Sequence, residues 1–242
     1  MYALVALGVF LIWELWRPSR RLSGRGVARI LNLATGAVNT LLLRLVLPLG
    51  LATWAAIGTT QLGRAAAPPW LGFVVLDLAL YVQHWACHRF EPLWRLHAAH
   101  HADSELDVTT GLRFHPFEAL ASSLWKGAVI VSVGIDASTV IAFEAFLAVA
   151  SFFSHSNIAW RGAWARAIDL FWMTPACHRV HHGLERSDQM RNLAFGMTLW
   201  DWIFGTRAAP RELQQVGLPG TAGAAPQRLL KFAFLPFTIK PL

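Results

Sequence analysis

Polar positions along this chain are sparse and grouped, and the apolar runs between them are long enough to serve as membrane helices. The first run, MYALVALGVFLIWELW, is broken only by Glu14 and passes into the basic segment RPSRRLSGRGVAR. It lacks a basic leading region and a small-residue cleavage site, so it reads as a retained membrane anchor, interfacial or tilted because it is short for a span. A second run covers Leu41 to Ile57, interrupted by Arg44, and ends in the polar link TTQLGRAAAPP with the lone basic residue Arg64. The third, WLGFVVLDLALYVQHWACH, starts at Trp70. Two more, Ala119 to Ile135 and Thr139 to Phe153, are separated only by Asp136, Ala137 and Ser138, which predicts a helical hairpin. The tail holds a Gly/Ala/Pro-rich stretch, Gly217 to Pro226, and then LLKFAFLPF, a segment suited to the membrane surface or to packing on the rest of the chain.

Composition supports a membrane protein: of 242 residues, 55% are hydrophobic and 14% charged, against roughly 25% charged in soluble domains. Arg17, Arg20, Arg21, Arg25 and Arg29 form the densest basic cluster, which marks the cytoplasmic side and leaves the amino terminus outside. Tracing the runs from there brings all ten histidines to the cytoplasmic side. The net charge of +7 is explained by this topology. No basic patch with interleaved aromatics accompanies it, so nucleic acid is not an expected partner. Cys87 and Cys177 are far apart and read as buried reduced thiols. The fold expected is all-α, an integral membrane bundle of four or five helices. A cytoplasmic helical cap, made from the segments after His88 and after His155, carries a histidine-rich dimetal site.

Nine of the ten histidines fall into three boxes and one single position: HWACH (His84, His88), HAAHH (His97, His100, His101), SHSN (His155) and HRVHH (His178, His181, His182). On a helix, residues three and four apart lie on one face, so the three imidazoles of TPACHRVHHG are expected to point at roughly one place. Nine imidazoles exceed the four ligands of one tetrahedral zinc and suit two metals with four or five imidazoles each. Imidazole alone does not name the metal, and the lack of a cysteine-rich set argues against Fe–S clusters.

The order HxxxH, HxxHH, single His, HxxHH resembles the fatty acid hydroxylase and sterol desaturase superfamily of membrane-bound, histidine-box diiron oxygenases. The similarity extends to DLALYVQHWACHR, LWRLHAAHH, RFHPFE, SHSN, TPACHRVHHG and WDWIFGT, from about Asp77 to Thr206, while RNLAFG departs from an Asn-aromatic-Gly pattern. The resemblance implies that His84, His88, His97, His100, His101, His155, His178, His181 and His182 hold two irons, which zinc can replace in purified protein. It divides the chain into N-terminal helices and a basic loop (1–69), a histidine-box domain (70–206) and a tail (207–242) within one structural unit. Asp77, two helical turns before His84, is a candidate carboxylate for orienting a ligand imidazole. Asp188, Asn192 and His115 are further supporting candidates; Pro116 alternatively makes RFHPFE a helix start. Glu144 and Arg44 are candidate structural partners within the bundle.

The expected reaction is hydroxylation or desaturation of a C–H bond in a lipid, such as a fatty acyl chain or sterol, with O₂ as co-substrate. The chain shows no C-x-x-C-H and no G-x-G-x-x-G, so a separate electron-donor protein or reductase is an expected partner. Two other readings compete. A zinc-dependent lipid hydrolase would want a general-base carboxylate beside a box. A metal transporter would spread its histidines through the membrane depth.

Overall fold

The computed structural model describes residues 2–22, 25–47, 50–63, 65–211, 213, 215–219 and 229–239. Arg64 and most of the Gly/Ala/Pro-rich tail segment lie outside the described residues. Among those described there is no strand, only three isolated bridges, and the architecture is all-helical. The helices are α1 (Tyr2–Trp16), α2 (Arg25–Val46), α3 (Gly50–Ala56) running into a π-turn, α4 (Pro69–Arg89) and α5 (Glu91–His101). After the 3-10 turn Val108–Leu112 come α6 (Pro116–Val133), α7 (Ala137–His155), α8 (Ala163–Asp169), α9 (Pro175–His181), α10 (Arg186–Gln189), α11 (Leu199–Ile203) and α12 (Leu229–Thr238). Among the described residues, three helical stretches are long and apolar enough to cross a membrane: Arg25–Thr60, Pro69–Arg89 and Ala137–His155.

Local chemistry sets the boundaries. Pro69, Pro116 and Pro175 each sit in the first turn of a helix, where the missing N–H leaves no bond unmade. The expected hairpin is α6–α7: Gly134 ends α6 with φ 76°, a conformation only glycine adopts cheaply, and Asp136 caps α7 by accepting from Thr139 N. At the end of the bundle away from the histidines, Ala55, Leu76, Leu80, Ile130, Ile135, Val140 and Phe143 from α3, α4, α6, α7 and the hairpin turn form the main apolar core. Gly72 on α4 lets that helix meet the hairpin closely, since a Cβ there would lie 2.9 Å from Ile135.

The basic loop differs from the expectation. Arg25 and Arg29 belong to α2 rather than to a free loop, and both turn inward. Arg25 is buried against two buried acids, 2.6 Å from Asp103 and 2.8 Å from Asp107. Arg29 bridges Asp107 (2.9 Å) and Glu14 (2.6 Å). Asn32 continues this polar stripe, donating to Asp103 and Thr109 and accepting from Arg113 at 3.0 Å. Asn39 donates to the Phe114 carbonyl at 2.8 Å. The stripe fastens α2 to the loop between the second box and α6. Glu14 also accepts from the Val108 and Asn157 amides, so α1 is tied to the same region. Glu144 on α7 pairs with Lys126 on α6 at 2.7 Å. The tail helix α12 packs on α5: Leu235 and Ile239 sit against Trp94, Ala98 and Ala102. Cys87 and Cys177 are buried free thiols.

Candidate metal centre

The three boxes ride on three helices. The first closes α4, the second closes α5, and the third forms α9, whose start is set by Thr174 capping Cys177 N and by Pro175. His155 is the last residue of α7. All nine histidines are brought together, each at most 4% exposed. They fall into two groups, His84, His88, His97, His101 and His181, and His100, His155, His178 and His182, with the candidate ligand atoms of each group within 4.8 Å of one another. That span is close to twice a metal–nitrogen bond of about 2.1 Å, the separation of ligands on opposite sides of an ion.

This partition revises the expectation that a box points at one place. His84 with His88, His97 with His101, and His178 with His182 share a group at spacing i, i+4, whereas His100 and His181, at i+3, join the other group. Successive helical residues turn by about 100°, so i+4 lies about 40° to one side of i and i+3 about 60° to the other. An HxxHH helix end therefore straddles two adjacent positions and supplies a ligand set to each.

Most of the rings are oriented by a partner on the far nitrogen. His84 donates Nδ1–H to the Leu193 carbonyl (2.6 Å), His155 to Ser151 O (2.7 Å), His181 to Arg191 O (2.9 Å) and His100 to Arg113 O (3.2 Å). His97 donates to the buried Glu118 carboxylate at 2.6 Å. A carbonyl only accepts, so Nδ1 carries the proton and Nε2 is left bare. The bare Nε2 atoms of His100 and His155 stand 3.1 Å apart, and the Nε2 atoms of His84 and His97 are also 3.1 Å apart. Two facing lone pairs repel at that range unless a cation lies between them, and about 3.0 Å is the spacing of neighbouring ligands at right angles around an ion with bonds of about 2.1 Å. Both ring nitrogens of His88 and of His101, and one each of His178, His181 and His182, have no hydrogen-bond partner among the described residues. Buried polar atoms left in this way are costly; each ring offers one ligand atom, so metal ligation would satisfy one nitrogen each of His88 and His101 and the Nε2 of His181. Burial, and after it the charge of neighbouring imidazoles, holds His100, His101, His178 and His182 well below the usual histidine range and His181 at about 3. These rings are neutral near pH 7, the form that ligates. The residues present fit a pair of metal ions.

The supporting candidates fare differently. Asp77 does not reach a histidine; it accepts from Trp200 Nε1 at 2.8 Å and joins α4 to α11, and the Leu193 carbonyl in the turn after α10 takes the far nitrogen of His84. Asp188 is ion-paired with Arg211. Asn192, at φ 52°, makes the turn itself: its side chain donates to Cys177 O and accepts from Arg207 and the Ala208 amide, each at 2.9 Å. That turn aims the Arg191 and Leu193 carbonyls at His181 and His84. Asp201 of WDWIFGT holds it from behind, accepting from Leu193 N (2.7 Å) and Ala194 N (3.1 Å). His115 is in neither group; it caps α6 through Phe117 N and donates to Ala233 O in α12, in keeping with the helix-start reading of Pro116. Glu118 escaped the sequence analysis, although RFHPFE carries it three residues after His115. Glu118→Gln is expected to weaken metal retention by about 10–100-fold, since an amide is a poorer acceptor for His97; a metal-chelator competition on the two proteins measures it.

Membrane-length helices around a buried double cluster of imidazoles define an all-helical membrane protein with a candidate two-metal centre. The chain belongs to the fatty acid hydroxylase family, whose family model matches residues 70–206, more than half of it. It is similar to the ornithine lipid hydroxylase OlsE of Rhizobium tropici, 27% identical over 170 residues, which are 70% of this chain and 50% of that protein. Similarity extends to the alkylglycerol monooxygenases of Danio rerio, 26% identical over 69% of this chain and 36% of that one, and of Homo sapiens, 28% identical over 62% and 33%. The chain thus spans half or less of the length of these relatives. No solved structure matches it.

Proposed function

We propose that this protein is a membrane-bound diiron oxygenase that hydroxylates or desaturates a C–H bond of a lipid. The observation that carries this reading is the division of nine buried imidazoles into a set of five and a set of four. His84, His88, His97, His101 and His181 would hold one iron, and His100, His155, His178 and His182 the other. Iron bound there supplies, with O₂ and two electrons from a separate donor protein, the oxidation of the C–H bond. The relatives named as lipid hydroxylase and monooxygenases support a lipid substrate.

The chain's own residues orient, shield and admit. The carbonyls of Leu193, Arg191, Arg113 and Ser151 and the carboxylate of Glu118 fix five rings, and burial keeps water from the cluster. An apolar cavity of about 250 Å³ between α4, α5 and α6 is lined by Val82, Ala86, Leu93, Leu96, Ala121 and Trp125 and ends at Glu118 and Cys87, beside His97. It suits an acyl chain entering from the bilayer. In this reading α1, α2 with α3, α4, α6 and α7 supply the four or five membrane helices. α5 and α8–α11 form the cytoplasmic cap, residues 70–206 are the catalytic unit, and 1–69 and 207–242 support it.

Incubating iron-loaded protein in nanodiscs with a lipid panel, O₂ and an electron donor tests the reading: a lipid gaining one oxygen or losing two hydrogens, dependent on O₂ and iron, is expected. Hydrolysed lipid formed without O₂ would refute it. Ala121→Trp is expected to lower turnover of long-chain lipid about tenfold or more by filling the cavity, with metal content unchanged. The packing change corresponds to a misplaced substrate, and paired assays of turnover and metal check it.

A further inference from the structure

Beside the third box lies a second cavity, of about 390 Å³, walled by the segment after α1, the turn after α7, α8 and the outer face of α9. Arg20, Arg161, Arg166, Arg179 and Arg211 line it, against one acid, Asp169. Arg211 is paired with Asp188, and Asp169 accepts the Thr174 hydroxyl. The other four guanidinium groups have no ion pair among the described residues. Arg179 is the most telling of them: it is only 9% exposed, yet no described side chain or carbonyl accepts from it. A largely buried cation that lines a cavity without a described partner favours an anion in that cavity. The buried indole N–H of Trp160, on the same wall, also has no acceptor among the described residues.

The surroundings indicate where that anion comes from. α7, a helix of membrane length, ends directly before Ser156, Ile158 and Trp160 of the cavity wall. α8, which supplies Ala165, Arg166 and Asp169, exposes Trp164, Ile168, Leu170 and Phe171 along and just beyond its length. Exposed aromatic and aliphatic side chains next to arginines, at the end of a membrane-length helix, are the signature of the lipid headgroup level. The planar, forked donors of arginine match the paired oxygens of phosphate and carboxylate alike. An acidic protein surface could reach Arg161 and Arg166 but not buried Arg179.

We propose that this arginine cavity binds the oxyanionic headgroup, phosphate or carboxylate, of a membrane lipid. Arg179 follows His178, and Ser156 follows His155, so a lipid held here is one residue away from the group of four histidines. The inference deepens the proposed lipid oxidation and rests on that reading only where the bound lipid is also the one oxidised.

The test is a calorimetric titration of the full chain in neutral detergent with a short-chain phosphatidate, the matching uncharged diacylglycerol and inorganic phosphate. It is repeated with an Arg161→Gln, Arg166→Gln double variant, altered only at exposed positions, and with Arg179→Gln. The phosphatidate is expected to bind at least about tenfold more tightly than the diacylglycerol and than free phosphate, and each variant to lose about tenfold or more. Metal content in the double variant is expected to match the parent. Equal affinity for charged and uncharged lipid, or unaltered binding in both variants, would overturn the proposal. Free phosphate binding as tightly as the phosphatidate would overturn the lipid as the source of the anion. Binding is read without metal, O₂ or turnover, so failure of the oxidation reading leaves this result standing, and the reverse.

Discussion

His178→Ala is expected to abolish lipid oxidation and to release metal. His178 belongs to the smaller group, where its Nε2 lies 3.0 Å from that of His155 and 3.2 Å from that of His182. Its loss leaves three imidazoles, and α9 has no replacement donor at that face. The effect exceeds the roughly 10–100-fold cost of losing an outer partner such as Glu118, because here the bond to the ion itself is gone. Side-by-side metal analysis and turnover with O₂ and electron donor measure it. Retention of full activity by His178→Ala would remove the group of four from the site.

Arg25→Met, far from the histidines in sequence, is expected to destabilise the fold by about 3–5 kcal/mol, the cost of breaking a buried ion pair from one side. Asp103 and Asp107 are both fully buried. Burial alone would push the Asp107 carboxyl up, yet hydrogen bonds from Arg25, Thr109 and Arg29 carry it below its ordinary value. Without Arg25, Asp103 keeps only the neutral donors Asn32 and Thr110 among its described side-chain partners, and the loop leaving the second box loses its main tether to α2. Denaturant titration in detergent reads the loss. A change below about 1 kcal/mol would mean that the pair contributes no more than an exposed one.

The histidine boxes were legible because side chains that converge on one region from a single helix recur at short spacings, and a spacing of four residues survives in the sequence without alignment. Their assignment to two sets was less so: that depended on the opposite angular offsets of i+3 and i+4, and on which neighbouring helix each offset faces. The α6–α7 hairpin was legible from Asp136, whose capping chemistry is local. The outer partners of the rings were mostly invisible for a physical reason. The groups that orient His84, His100, His155 and His181 are backbone carbonyls, which every residue type carries. Asp77 was misjudged because a face along one helix does not tell which helix packs on it, and α11 arrives there with Trp200. Arg25 and Arg29 read as a topological marker, since their acids, Asp103 and Asp107, lie 78 to 82 residues away in the chain. Asn192 was noticed, but its role is conformational: a left-handed turn that aims two carbonyls at His84 and His181, both in the five-histidine group.

In the proposed function, the five-histidine and four-histidine groups each hold one iron. Elemental analysis of the purified protein after iron-replete expression, quantified per chain, tests it most directly. Two irons per chain in the parent, with clear loss in His178→Ala and in His181→Ala, is the predicted result. A parent that oxidises lipid with one ion or none per chain, or metal content indifferent to both substitutions, would contradict it.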